Sequence, residues 1–341
     1  MFHNKIANIK QILILWIFIS NILIAEHNVT PTEESWIDSS YAYMQSKVYI
    51  FSHHLDNKLT TFICNFDSNK TCDHNHDHNK PVAADNNWFS SFFEDDIFEN
   101  TYRESNLRIK TTLKYDQKTK RLKPSISIRS KLILPKTKNR LALFIDNEDE
   151  ETDYGNYNNS GSETVGLVYS KPTKRFFQTY VSVGMSSFDN PYAKSKLWIP
   201  FTFGKWRNKV DQYVKYSSKY KFEEGTNLYV DRLLDDNNAF IRFHAGRKTR
   251  DDFEGTEFYN NLAYINTSIY QRGFQIGVST IGRTKPDTHI IKYAIYSVYK
   301  KNIWRDWLYY ELEPRVEWEE RYDFNPNYIL LVSMEVFFGK N

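Results

Sequence analysis

The chain has 341 residues, a formal net charge of +3, and 24 Tyr, 24 Phe and 8 Trp. Its mean hydropathy is −0.63, which an ordinary apolar core packed with this many rings would not give. A polar interior with aromatics gathered at two rims gives both. The small net charge, with no basic stretch in the register of a binding module, argues against nucleic acid as a partner.

Residues 1–25 carry Lys5 and Lys10, then an apolar run over 12–19, and end in Leu23-Ile24-Ala25. This is the three-part layout of a secretory signal peptide, with Ala25 as the cleavage site. The run is short for a membrane-spanning helix, and Ser20 and Asn21 interrupt it. The expectation is an exported protein without a helical anchor.

Residues 26–104 lack sustained alternation and read as a periplasmic N-terminal extension, with short helices over 41–59 and 87–98. Cys64 and Cys72 fall here, and in an exported chain an oxidised pair is the default reading. Closing so small a loop would stabilise only modestly. His74, His76 and His78 follow, interleaved with Asp73 and Asp77. Their spacing matches no metal-site pattern, so a solvated loop is the plainer reading and transition-metal binding the alternative. No cofactor is expected.

From residue 106 the apolar positions recur every second residue, the period of a strand with one apolar face. Leu107, Ile109, Leu113 and Tyr115 alternate with Arg108, Lys110, Thr112 and Lys114. Leu122, Ile126, Ile128, Leu132 and Leu134 alternate with Lys123, Ser125, Ser127, Arg129 and Lys131. Further strands are expected near 140–147, 164–170, 175–186, 194–205, 210–222, 226–234, 239–247, 257–270, 273–283, 287–300, 304–319 and 327–338. The count is about fourteen, and twelve if the mixed segments 226–234 and 257–270 are not strands. Both are even, as single-chain bacterial barrels require. Connections after odd strands are the longer ones, led by the acidic segment 148–163, which places both termini on the periplasmic side.

In the strand over 304–319, Leu308, Tyr310, Leu312, Pro314, Val316 and Trp318 share one face. Glu311, Glu313, Arg315, Glu317 and Glu319 share the other. Carboxylates along a whole face are costly in lipid, so this face is expected to line a lumen. Glu313→Gln is then expected to leave folding nearly unchanged, because an amide also fits a wet lumen. Pro314 lacks a ladder donor and is expected to mark a bulge. The closing strand sets Tyr328, Leu330, Val332, Met334, Val336 and Phe338 against Ser333 and Glu335. Tyr328, Met334, Val336 and Phe338 read as its membrane-assembly signal. The fold class is therefore an all-β, transmembrane antiparallel barrel over 105–341, in the bacterial outer membrane.

The run Trp307-Leu308-Tyr309-Tyr310-Glu311-Leu312-Glu313-Pro314-Arg315-Val316-Glu317-Trp318, closed by Met334-Glu335-Val336-Phe337-Phe338-Gly339, resembles the ending of a proteobacterial family of uncharacterised outer-membrane β-barrels. Lys131-Leu132-Ile133-Leu134-Pro135 leading into Arg140-Leu141, and Phe92-Phe93, are similar to the same family. The likeness spans roughly residues 88–341. The Cys/His tract and the Lys340-Asn341 tail depart from the pattern. The resemblance implies a location and a fold, with no agreed activity.

The strongest functional signal is charge asymmetry inside the lumen. Arg108, Lys110, Lys114, Lys123, Arg129 and Lys131 lie one strand away, across the closure, from Glu311, Glu313, Glu317 and Glu319. A transverse field of this kind suits a narrow, monomeric channel for small polar or charged solutes. The alternative is a non-conducting structural or surface-interaction barrel, in which the charges form a packed network and 148–163 is the contact surface. A membrane-embedded hydrolase is a distant third, and the chain reads as a non-enzyme. His244 and His289 are the histidines of the barrel region, and no stretch pairs either with a nucleophilic serine. The expected partners are outer-membrane lipid and the barrel-assembly machinery.

Overall fold

The computed structural model describes residues 36–66, 106–134, 141–146, 164–171, 177–186, 189–235, 239–269 and 272–338. The chain divides into two compact units, Met1–Ser40 and Tyr41–Asn341. In the first, the described residues are the opening turn of a helix, α1 (Trp36–Phe66), where Ser40 Oγ donates to the Trp36 carbonyl at 2.8 Å. The helix expected over 41–59 is thus longer at both ends. The signal segment 1–25, Cys72 and His74, His76 and His78 lie outside the described residues. So does the side chain of Cys64.

The second unit carries fourteen strands. The first seven are β1 (Asn106–Asp116), β2 (Arg121–Leu134), β3 (Leu141–Asp146), β4 (Thr164–Lys171), β5 (Gln178–Ser186), β6 (Asn190–Phe203) and β7 (Trp206–Ser217). The rest are β8 (Lys221–Asp235), β9 (Ala239–Arg250), β10 (Phe253–Ile269), β11 (Arg272–Arg283), β12 (His289–Ile303), β13 (Arg305–Glu319) and β14 (Pro326–Phe338). Each strand pairs with its sequence neighbours, and β1 pairs antiparallel with β14 from Leu107↔Phe338 to Asp116↔Ile329. The sheet therefore closes with no edge, which satisfies every strand's backbone without water.

Alternation decides the two faces. On β14 Met334 is 50% exposed, whereas its neighbours Ser333 and Glu335 are each 2% exposed. The same outward exposure recurs round the circle at Ile126, Val183, Phe203, Leu262, Val278 and Ile295. In water this would be one continuous apolar belt, far beyond what a soluble surface carries. It is the lipid-facing wall of a transmembrane barrel. Among the described residues no helix is long and apolar enough to cross a membrane.

Three sequence expectations shift. The seventh and eighth strands, expected over 210–222 and 226–234, are Trp206–Ser217 and Lys221–Asp235. The intervening turn contains neither Gly nor Pro. It closes because Tyr220 N donates to Ser217 Oγ at 3.1 Å and Lys221 takes φ +55°. Pro314 inserts no bulge. Tyr296↔Arg315 and Tyr299↔Leu312 keep one register on either side of it, and the ladder to β14 runs through it unbroken. Losing one N–H does not require an extra residue, and register shifts occur near strand ends instead, as at Asn302/Ile303 and Leu233/Asp235.

The start of β1 and the end of β14 lie at the same rim. At that rim Tyr41 of α1 stacks on Trp307 (4.3 Å between centroids) and on Phe338 (5.2 Å), and its hydroxyl donates to the Phe337 carbonyl at 3.2 Å. Burial pushes the Tyr41 phenol above its ordinary pKa. Tyr328, Met334 and Val336 point outward. Phe338 has the same parity but is buried beneath Tyr41.

Candidate functional site in the barrel interior

At the closure the inward residues of four strands form one charged network. Lys110 Nζ lies 3.0 Å from Glu311 Oε1, and Arg108 3.4 Å from Glu335 Oε1. Lys300 Nζ reaches Glu335 Oε2 at 2.6 Å, and Thr112 and Ser333 share a hydroxyl hydrogen bond of 2.9 Å. Arg315 bonds Glu313 through Nε at 3.1 Å and Glu317 through Nη1 at 3.1 Å, and Lys292 Nζ adds 2.9 Å to Glu317. Such charge-assisted bonds offset the cost of taking ions out of water only when each charge is paired. Glu319 lies at the end of the row, bonded by Arg321.

Two like-charged pairs stand side by side on β1 and β2. Arg108 is the register partner of Arg129, and Lys114 of Lys123. Lys131 closes this stretch beside Asn106, while Arg129 faces Asp146 of β3. Glu313 is 3% exposed. The amide of Glu313→Gln would face the Arg315 guanidinium in a buried setting, so the substitution is expected to destabilise and not to be neutral.

A second charged wall, on β6 to β9, escaped the sequence reading. Asp231 accepts two bonds from Arg242, Nε and Nη2 at 2.7 Å each, with Arg207 3.6 Å away. Asp211 accepts from Asn227 Nδ2 at 2.7 Å and has Lys196 at 3.5 Å and Lys209 at 3.7 Å. Lys209 also lies over the Trp198 ring at 4.8 Å. The alternation Arg207-x-Lys209-x-Asp211-x-Tyr213 carried this signal. The strands expected over 194–205 and 210–222 left a break across it, whereas β7 begins at Trp206.

Between the walls lies a small apolar patch on β9, β10 and β12. Phe240, Ala263, Ile265, Tyr296 and Val298 form a buried cluster against Leu233 and Tyr309. Tyr296 Oη accepts from Gln275 Nε2 at 3.0 Å and donates to Asn261 Oδ1 at 3.0 Å. Gly277, its register partner, makes the space. A Cβ there would stand 2.6 Å from Tyr296 Oη. Gly225 does the same for the Tyr213 ring, 2.1 Å from where its Cβ would be.

His244 is buried, stacked on Tyr229 at 3.9 Å, with Nε2 3.4 Å from Asn227 Oδ1. Ser279 stands at the same level two strands away, with Asn261 between them. His289 lies at a strand end, 3.3 Å from Glu320. Among the described residues no cluster of His, Cys, Asp or Glu has the make-up of a metal site.

A closed barrel with an apolar outer wall and an ion-paired inner wall defines the class of the protein, a transmembrane β-barrel. No protein-family model matches the sequence, and no curated relative matches it either. Solved structures are similar to it at low identity. A loop-deletion mutant of OmpT, an outer membrane protein of Vibrio cholerae, has 9% identity and a TM-score of 0.43 over 68% of this chain and 98% of that one. Pseudomonas aeruginosa OccK11 has 8% identity and a TM-score of 0.41 over 70% and 96%. The outer membrane channel DcaP of Acinetobacter baumannii has 7% identity and a TM-score of 0.42 over 70% and 96%.

Proposed function

We propose that this chain is a bacterial outer-membrane barrel, of the proteobacterial family its ending resembles. In this reading it forms a narrow, monomeric channel for small polar or charged solutes, with both barrel termini periplasmic. The observation that carries it is the inner wall itself. The acidic row of β13 lies one strand from the basic stretch on β1–β2, and a second basic stretch on β6–β7 stands across the barrel, so a solute in the interior meets fixed charge of both signs. The like-charged rung Lys114↔Lys123 adds a locally positive stretch that favours anions.

Planar-bilayer recording tests this. The folded protein should conduct, and Lys114→Glu with Lys123→Glu should shift the reversal potential toward cations. Silence at every voltage from correctly folded protein would sink the channel. A non-conducting structural barrel is then the reading, and one observation favours it. Asp231, Lys300 and Arg315 are 0%, 2% and 3% exposed, as in a filled interior.

A further inference from the structure

On the outer wall, β11, β12 and β13 enclose a groove of about 420 Å³ lined by Val278, Thr280, Tyr293, Ile295, Trp318 and Phe324. Two rungs build it. Thr280, Tyr293 and Trp318 are register partners at one level, and Val278 and Ile295 one step further from the β11–β12 loop. Thr280 bonds Asn260 of β10 at 3.4 Å, so polar and aromatic side chains share this level of the outer face. That mixture marks a bilayer interface.

The upper end of the groove is made by Phe324, whose ring centroid lies 5.8 Å from that of Tyr293. Phe324 and Asp323 both have φ +51°. A bulky residue in the left-handed region is strained, and two in succession persist only when their surroundings hold them there. Here Asp323 N donates to the Glu320 carbonyl at 2.8 Å and Phe324 N to the Glu319 carbonyl at 3.0 Å. Two residues before Phe324, Tyr322 has two cations near its ring, Lys118 Nζ at 4.8 Å and the Arg321 guanidinium at 4.9 Å from the centroid. Glu319 holds Arg321, whose side chain stays 65% exposed, and the neighbouring Glu320 is engaged by His289. The groove's upper aromatic, Phe324, thus stands two residues from a tyrosine with a lysine and an arginine within 5 Å of its ring.

We propose that this groove binds one molecule of an anionic membrane lipid, its acyl chain along Val278, Ile295 and Trp318 and its phosphate headgroup at Lys118 and Arg321. The site is on the outer wall and is independent of whether the interior conducts. The amphiphile matches the surface in both parts. Methylenes leave the groove dry, and the phosphate takes the charge-assisted bonds that two solvent-facing cations can give.

Native mass spectrometry of the full-length protein, titrated with phosphatidylglycerol or phosphatidylcholine of the same chains, tests the assignment. Wild type should retain one phosphatidylglycerol in preference to phosphatidylcholine. Lys118→Gln and Arg321→Gln should each weaken phosphatidylglycerol about five-fold and leave phosphatidylcholine unchanged. Ile295→Trp, which fills the groove without touching either cation, should lower both lipids, and Thr280→Phe serves in its place if that variant does not fold, as judged by heat-modifiable migration. Equal retention by wild type and the groove-filled variant would overturn the acyl site. Equal retention of the two lipids by wild type, or displacement of phosphatidylglycerol by inorganic phosphate alone, would overturn the lipid-headgroup assignment.

Discussion

Lys300 on β12 and Glu335 on β14 form a 2.6 Å ion pair although β13 runs between their strands. The ammonium passes over the Tyr309 ring, 5.5 Å from its centroid, and both side chains are almost wholly sealed from solvent. Glu335 also receives Arg108 from β1. One carboxylate thus ties three strands together across the closure of the barrel.

Breaking that pair should be costly. Lys300→Met is expected to destabilise the barrel by about 3–5 kcal/mol, because a buried carboxylate loses its nearest partner. Glu335→Gln should cost less after Lys300→Met than in wild type, with a coupling of about 1–3 kcal/mol. Urea titrations in lipid vesicles followed by tryptophan fluorescence measure all four corners of the cycle. Strict additivity would show that the two side chains do not act as a pair.

The facing of strands can be tested at single positions. Leu312→Arg places a charge on the outward face beside Val332 and should cost about 2–4 kcal/mol if it meets the bilayer near its midplane. Met334→Cys should react with lipid-borne reagents and be shielded from water-soluble ones. Lys123→Cys, on the inward and exposed part of β2, should show the reverse. Equal labelling of both by the water-soluble reagent would refute the register.

Gly277→Val drives a side chain into the Tyr296 hydroxyl and should destabilise by about 1–3 kcal/mol through overpacking alone. Tyr296→Phe removes the bonds to Asn261 and Gln275 and should cost a similar amount, about 1–3 kcal/mol, by leaving buried polar groups unpaired. Gly277→Val should be milder in a Tyr296→Ala background, measured by the same urea titration. No relief there would mean that the valine clashes elsewhere.

At the rim, Tyr41→Ala should expose Trp307 and Phe338. The lost stacking corresponds to about 0.5–1.5 kcal/mol per ring pair. Tyr41→Phe should retain the stacking and lose only the bond to the Phe337 carbonyl. The environment of Trp307 can be followed by quenching in a variant that keeps it as the sole rim tryptophan. Unchanged quenching after Tyr41→Ala would separate α1 from the closing strand.

Chain-local periodicity determined the class of fold. Which face a residue takes depends only on its parity within its own strand, so the split between Leu312 and Glu313, or between Met334 and Glu335, was readable one residue at a time. The same pattern gave about fourteen strands with twelve left open, and the closed sheet has fourteen. Partnerships were decided only by the tertiary structure. Whether Gly277 stands opposite Tyr296, or Asp231 opposite Arg242, depends on register between strands, and a shift of one residue changes every pair. The turn at 218–220 was hidden for a related reason. Its backbone is held by the Ser217 hydroxyl, a weaker turn signal than Gly, Pro, Asn or Asp, and by a left-handed Lys221, a residue with no turn signal of its own. The span from Lys300 to Glu335 was the least legible of all, since it exists only where a closed wall brings long side chains from alternate strands together on its inner face.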